Sequence, residues 1–207
     1  MTSNENKVVI TQTNYANPSA LGLFGLAIVT LVAASQKLGI TTGTSLIIPW
    51  ALFLGASAQL YASIIDMKIK NTFGGTAFGA YAFFWYAVAM TWCIQNGLFG
   101  ETMQTTADLG QLGFAYVGYL IFTLFMTVGA ANANKVLLII FILIDFLFLG
   151  LSLSTFGIMK HSMHLLAAYS ELAIAIMSFY GSCANVLNAQ YGKVILPLGK
   201  PLSLFSK

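Results

Sequence analysis

The sequence contains no arginine and little charge of either sign. Its 207 residues include nine lysines and six acidic side chains, so charged residues make up 7% of the chain, against about 25% in typical soluble domains. No cluster of basic side chains provides a surface for nucleic acid, and no nucleic-acid partner is expected. The two cysteines form no CxxC motif and no Cys/His cluster, which predicts neither a disulfide scaffold nor a bound metal, and no cofactor is expected.

Hydrophobic residues, by contrast, make up 58% of the chain. The first residues are polar, with no basic stretch before an apolar core, so we expect no cleavable signal peptide. Six segments approach the roughly 20 apolar residues that cross a bilayer. They cover about 19–35, 45–65, 76–94, 114–129, 136–157 and 165–189. The sequence predicts an all-α polytopic membrane protein with one domain over 1–207, of which 1–16 and 191–207 lie outside the bilayer.

The lysines predict how the chain is oriented. Six spans place both termini on one side of the membrane. That side holds Lys7, Lys68, Lys70, Lys135, Lys193, Lys200 and Lys207, whereas the other holds Lys37 and Lys160. Because lysine is enriched in cytoplasmic loops, we expect both termini in the cytoplasm and the protein in the plasma or inner cell membrane.

Three predicted helices carry a distinct stripe when residues are placed at 100° intervals. The second helix has Gly55, Gln59, Ser63 and Asp66 on one face, the sixth has Glu171, Ser178, Ser182 and Asn185, and the third has Phe78, Tyr81, Trp85 and Trp92. A single polar stripe either packs helices together or lines a pore. Three stripes among six helices favour a pore.

Two acids lie within predicted spans. Asp145 lies near the middle of the fifth, where a charge costs about 2.5–3.5 kcal/mol and no lysine is available to pair with it. It is either protonated or faces water or a polar stripe, so proton handling and a neutral structural role both stay open. Glu171 shares a face with His164, which predicts a His–Glu contact at the outer mouth, with the same two interpretations.

Several motifs together resemble one family. Residues 17–23, Asn-Pro-Ser-Ala-Leu-Gly-Leu, resemble the N-P-x-P-L-G-L signature of the acetate transporter family, with Ala20 in place of its second proline. Further matches are Asn71-Thr72-Phe73-Gly74, Phe84-Trp85, Phe122-Thr123-Leu124-Phe125-Met126, Asn185-Val186-Leu187-Asn188 and Leu196-Pro197. The resemblance covers nearly the whole chain.

The resemblance implies six helices around a pore in each protomer, a homohexamer, and transport of acetate and related short monocarboxylates, with succinate in some members. It places a hydrophobic constriction at Leu26, Tyr81 and Ile144, and Asp145 is not part of the family pattern. The candidate pore and substrate-binding residues are Asn17, Pro18, Leu21, Gly22, Leu26, Gln59, Tyr81, Trp85, Ile144, Asn185 and Asn188, and the candidate proton-handling residues are Asp145 and Glu171.

The residues support a weakly binding conduit. Asn17 and Pro18 open a helix whose free N–H groups can receive a carboxylate without a formal charge. Arginine would hold a carboxylate bidentately, whereas rapid flux requires release. Channel-like flow and proton coupling both stay open.

Three alternatives remain. The nearest is an amide or urea channel, and another is a non-transporting sensor or assembly protein. An intramembrane enzyme using Asp145, His161 and His164 is disfavoured, because the histidines have no adjacent nucleophile or metal-ligand set.

Overall fold

The computed structural model describes residues 15–203, so Lys7 and Lys207, which enter the orientation argument, lie outside the described residues. Within this part of the chain, six helices are long and apolar enough to cross a membrane, as predicted. They are α1 (Ser19–Lys37), α2 (Ile47–Lys68), α3 (Thr72–Gln95), α5 (Leu109–Ala130), α6 (Lys135–Thr155) and α7 (Lys160–Tyr191). A short helix, α4 (Glu101–Thr106), lies in the long connection between α3 and α5.

Several helices begin earlier than their apolar runs. Helix α3 begins at Thr72 because Asn71 caps it, with its side-chain oxygen accepting a hydrogen bond from Gly74 N–H at 3.1 Å. Helix α7 begins at Lys160, so its first turn is polar. Hydropathy identifies the part of a helix that lies in the hydrocarbon core and does not include such polar ends.

Helix α2 contains π-helical turns over Ala51–Ala58, which its sequence did not reveal. The wider turns are accompanied by a hydrogen bond from Ser57 Oγ to the Leu52 carbonyl at 2.7 Å. Gly25 of α1 packs so closely here that a Cβ atom would overlap the Leu54 carbonyl oxygen. The absence of a side chain at Gly25 therefore lets α1 lie against this segment.

The six spanning helices form a ring in the order α1, α7, α6, α5, α3, α2, with each helix packed against its neighbours. Contact is sparsest between α3 and α5. Because the number of crossings is even, the two ends of the described chain lie at the same end of the ring. There Leu202 N–H donates to the Ala131 carbonyl at 2.8 Å, which folds the C-terminal segment back onto the α5–α6 turn.

The N-cap of α6 gives a stability prediction. Asn134 has extended backbone geometry, and its side-chain oxygen accepts from Leu137 N–H at 2.9 Å. Asn134→Ala should lower the free energy of unfolding by about 1 kcal/mol, because the first turn loses its acceptor. Thermal unfolding in detergent measures the effect. Asn134→Ser, which keeps an acceptor, should lose less, and equal losses in both variants would contradict the capping role.

Candidate functional site

A cavity of about 660 Å³ extends from the end of the ring that holds the described chain ends towards the middle of the bundle. We call it the first cavity. All six spanning helices contribute to its wall. The predicted candidates among its lining residues are Asn17, Leu26, Gln59, Tyr81, Ile144 and Asn185. The ring therefore brings six separately predicted residues to one internal space.

Amides dominate the polar part of this wall. The first cavity is lined by the amide side chains of Asn17, Asn71, Asn132, Asn134, Asn185 and Gln59. At its mouth, Asn17 Nδ2 donates to Asn185 Oδ1 at 3.3 Å, which links α1 to α7. None of the described lining residues is charged. Such a wall can orient a small polar solute without the strong attraction of a fixed cation.

The inner part of the cavity is apolar. Leu26, Tyr81 and Ile144 come from α1, α3 and α6, and all three side chains are buried. The Tyr81 hydroxyl lies 2.9 Å from Thr123 Oγ1 on α5. The three positions expected to form a constriction therefore do lie around the same cavity.

Gln59 is fully buried in the wall of the first cavity. Its Nε2 atom donates to the Gly55 carbonyl at 2.7 Å, and this contact fixes the orientation of the amide because only nitrogen can donate. Its Oε1 atom has no hydrogen-bond partner among the described residues. The wall thus contains a buried side-chain acceptor that has no partner among the described residues.

Three candidates of the N-terminal motif lie outside the lining of this cavity. Pro18 precedes the first turn of α1, and Leu21 lies on its outer face with 42% of its surface exposed. Gly22 packs against the ring of Phe78, where a Cβ atom would not fit. The motif therefore shapes the start of α1 and its contact with α3, whereas Asn17 alone of these motif candidates lines the cavity.

Trp85 and Asn188 also lie away from the lining. Trp85 is buried against Gly55 of α2 and stacks edge-on against Phe84. Asn188 accepts hydrogen bonds from Ile195 N–H and Leu196 N–H at 2.7 and 3.0 Å. Its position is explained by the C-terminal segment, which it holds against α7.

The polar stripes mostly join helices. On α2, Ser63 Oγ donates to the Gly75 carbonyl of α3 at 2.6 Å. On α7, Ser182 Oγ donates to the Ala20 carbonyl of α1 at 2.7 Å. Of the two polar stripes, only Gln59 and Asn185 line the first cavity. The packing interpretation therefore holds for most members.

A second cavity, of about 740 Å³, lies at the opposite end of the ring. Its basic lining residues are Lys160, His161 and His164. Along α3 and α6, the residues between the two cavities include Phe84 and Phe148, whose rings lie 5.1 Å apart and meet edge-on. Phe148 also stacks with Tyr119 at 5.4 Å. We call Phe84, Tyr119 and Phe148 the aromatic cluster, and it separates the two cavities.

Glu171 contacts a different partner from the one predicted. Its Oε2 atom lies 2.9 Å from Lys37 Nζ, and His164 Nε2 donates to the backbone carbonyl of Lys37 at 3.0 Å. The two side chains thus meet at the end of α1, with Lys37 between them. The predicted direct His–Glu contact is wrong. The prediction considered only residues of α7, whereas Lys37 belongs to α1.

Asp145 lies on a different face of α6 from Ile144, as expected, and does not line either cavity. Its Oδ2 atom accepts a hydrogen bond from Thr127 Oγ1 of α5 at 2.7 Å, and Oδ1 has no partner among the described residues. Across residues 15–203, no group of three or more His, Cys, Asp or Glu side chains could hold a metal ion.

The sequence interpretation missed several lining residues. The asparagines at 71, 132 and 134 carried a usable signal, because they are polar side chains between two apolar runs. Phe141 lies one turn before Ile144 on the same face and could also have been identified. Leu198 had no such signal, since only the folding back of the C-terminal segment brings it to the cavity.

Comparison with known proteins gives a consistent result. The sequence profile of the GPR1/FUN34/yaaH family matches residues 2–200. The succinate-acetate/proton symporter SatP of Escherichia coli (strain K12) is 32% identical over 190 residues, which cover 91% of this chain and 97% of that protein. Ammonia transport outward protein 2 of Saccharomyces cerevisiae is also 32% identical over 190 residues, covering 88% of this chain and 65% of the yeast protein.

A solved structure agrees with these relatives. The structure of the bacterial acetate channel SatP superposes with a TM-score of 0.82 at 28% identity, covering 90% of this chain and all of that one. These similar proteins are two transporters and a channel by name, and none of the three names is that of an enzyme.

Proposed function

We propose, from the premise that this chain belongs to the GPR1/FUN34/yaaH family, that it carries acetate and related short-chain monocarboxylates across a membrane through the first cavity. The observation that carries the proposal is the convergence of Leu26, Tyr81 and Ile144 on one uncharged, amide-lined cavity. Similarity to an acetate channel over 90% of the chain supports the same substrate class.

The geometry suggests how a small carboxylate would pass. Amides at the mouth replace part of its water shell, and no fixed cation holds it there. The apolar constriction then admits a small solute that has shed the rest of its water. Beyond the aromatic cluster, Lys160 gives the second cavity a positive charge, which raises the local concentration of anions at that end.

The protein is proposed to lie in the cell membrane with both ends in the cytoplasm. Among the described residues, Lys68, Lys70, Lys135, Lys193 and Lys200 lie towards the end of the ring that holds the chain ends. Lys37 and Lys160 lie at the other, and this bias supports the orientation. A cysteine introduced at Ser203 should therefore react with a membrane-impermeant reagent only after cells are opened.

The assembly is proposed to be a homohexamer embedded in lipid. The family resemblance suggests this number, and α5 exposes large apolar side chains that another copy or lipid must cover, including Phe114, Ile121 and Phe125. The mass of the purified protein in detergent, measured after correction for bound detergent, tests the assembly.

Purified protein in liposomes should take up labelled acetate well above the level of empty liposomes. Tyr81→Ala should raise the ratio of propionate to acetate uptake, because it removes the ring at the constriction. Tyr61→Ala, at an exposed position on α2, serves as the matched control. Acetate uptake equal to that of empty liposomes would refute the function.

Competition assays separate the other candidates. Excess urea or methylammonium should leave acetate uptake unchanged, and succinate is assayed beside them. Strong competition by urea would favour an amide-type channel, and failure to carry any monocarboxylate would favour a non-transporting role.

Proton handling by Asp145 or Glu171 has to act from outside the first cavity, since neither acid lines it. For a proton-handling acid, Asp145→Asn or Glu171→Gln should abolish the pH response of uptake while expression stays normal.

A further inference from the structure

We infer that Asp145 is a positioning residue for Tyr81, acting through Thr127 and Thr123 of α5. The inference rests on the proposed function, because Tyr81 matters for transport only if the first cavity is the pathway. The inference assigns a role to Asp145, which lies in the middle of a spanning helix and lines neither cavity. Placing an acidic group at this depth of the membrane costs free energy, so we expect it to have a specific role.

One face of α5 carries the polar contacts in question. Tyr119, Thr123 and Thr127 follow one another at intervals of four residues, so they lie above one another along the helix. Tyr119 donates its hydroxyl to the Ala80 carbonyl of α3 at 2.9 Å. Thr127 contacts Asp145 of α6. We call these three residues the α5 ladder, and it joins α3 to α6 across α5.

The direction of each hydrogen bond follows from the donors available. Thr123 Oγ1 lies 2.7 Å from the Tyr119 carbonyl, which can only accept, so the threonine hydrogen is used there. Tyr81 must then donate its hydroxyl hydrogen to Thr123 Oγ1 across 2.9 Å. The ladder therefore fixes the tyrosine hydroxyl of the constriction towards α5.

Thr127 has one hydrogen and two acceptors within reach. Its Oγ1 atom lies 2.7 Å from Asp145 Oδ2 and 3.0 Å from the Thr123 carbonyl. Asp145 therefore competes with the helix backbone for this hydrogen. Threonines that bond back to their own helix tend to bend it, so the carboxyl group at 145 sets the local shape of α5 one turn from Thr123.

This face matters because few backbone positions of α5 and α3 lie close together, so side chains make most of the contact between the two helices. Packing between these two helices is the sparsest in the ring. On α5 itself, only Gly113, Tyr116, Thr123 and Ala130 are buried. The hydrogen bonds of Tyr81 and Tyr119 cross between these helices beside aromatic contacts such as Phe84–Tyr119, and a shift of α5 moves the partner of the Tyr81 hydroxyl.

The first test is the propionate-to-acetate uptake ratio in liposomes. Thr127→Val removes the hydroxyl at nearly constant shape and should change the ratio about threefold to tenfold, the equivalent of one lost hydrogen bond. Asp145→Leu should act in the same direction. Thr127→Ser and Asp145→Asn keep a hydroxyl and an acceptor, respectively, and should retain the wild-type ratio.

A double variant tests whether Thr127 affects the uptake ratio through the Tyr81 hydroxyl. In a Tyr81→Phe background the tyrosine hydroxyl is absent, so Thr127→Val should add no further change to the ratio. Additive effects, or a wild-type ratio in folded Thr127→Val and Asp145→Leu proteins, would overturn the inference. Loss of the pH response in Asp145→Asn would also overturn it, because Asp145 would then handle a proton instead.

A second readout does not depend on transport. With all tyrosines replaced by 3-fluorotyrosine, the ¹⁹F resonance missing in Tyr81→Phe belongs to position 81. That resonance should shift in Thr127→Val and stay in place in Thr127→Ser. If acetate uptake fails but this shift is seen, the proposed function is wrong and the positioning contact stands; an unchanged resonance removes the positioning contact itself.

Discussion

Phe148→Ala should open the pathway between the two cavities and raise acetate uptake by about tenfold or more. The ring of Phe148 is almost fully buried and meets Phe84 at 5.1 Å and Tyr119 at 5.4 Å. It also stacks on Tyr81 at 6.4 Å. Phe148 therefore contacts the constriction through Tyr81 and the α5 ladder through Tyr119. A tenfold change in rate corresponds to about 1.4 kcal/mol in the barrier.

Selectivity should change together with rate. The space left by the ring should admit propionate and butyrate, which the intact cluster slows. The variant should also lose roughly 3–5 kcal/mol of stability, because a buried ring leaves a cavity. Phe146→Ala is the matched control, since Phe146 lies on the same helix with its ring exposed. Wild-type rate and selectivity in a folded Phe148→Ala protein would show that the cluster does not limit passage.

The spanning helices could be predicted because one physical constraint dominates them. A bilayer requires about 20 apolar residues in each crossing, and all six predicted segments correspond to helices. Their ends depend on short-range polar contacts instead. Asn71 and Asn134 are N-caps whose role is visible only when the first turn is built. The π-helical turns of α2 lie where Gly25 of α1 packs against Leu54, and no local sequence pattern indicated them.

The sequence predicted some residues of the cavity wall but did not distinguish them from residues that pack helices together. Tyr81 and Asn185 face the first cavity because their helices present those faces to the centre of the ring. A serine in a spanning helix can either line a pore or join two helices. Ser63 and Ser182 join helices, because they donate hydrogen bonds to carbonyls of neighbouring helices. Angular position alone cannot separate these uses, because it states which residues share a face and not which helix that face meets.

The partners of Glu171 and Asp145 illustrate the same difficulty. The spacing on α7 suggested His164 as the partner of Glu171, but the partner is Lys37, which lies at the end of α1. Asp145 accepts a hydrogen bond from Thr127 of α5, and the periodicity of a single helix does not predict such a contact with another helix. Side-chain pairing across helices requires the order of helices in the ring, which hydropathy does not provide.

Lys37→Met should be among the most destabilising single substitutions in this protein. Glu171 has only 2% of its side chain exposed, and its Oε2 atom lies 2.9 Å from Lys37 Nζ. Removing the lysine leaves a buried acid without its counter-charge, and breaking a buried pair in this way costs about 3–5 kcal/mol. Thermal unfolding in detergent should show the loss, and Lys160→Met, at an exposed position of the same end of the ring, should be close to wild type.

The two halves of this pair should respond unequally. Lys37 is the last residue of α1 and has 14% of its side chain exposed, so it can extend its ammonium group into water when Glu171 is changed to Gln. Glu171 has no such route, because it lies inside α7. Glu171→Gln should therefore cost less than Lys37→Met, and the double variant should recover most of the loss, since no uncompensated buried charge remains. A double variant as unstable as the sum of the two single changes would show that packing, and not the charge pair, holds the outer ends of α1 and α7 together.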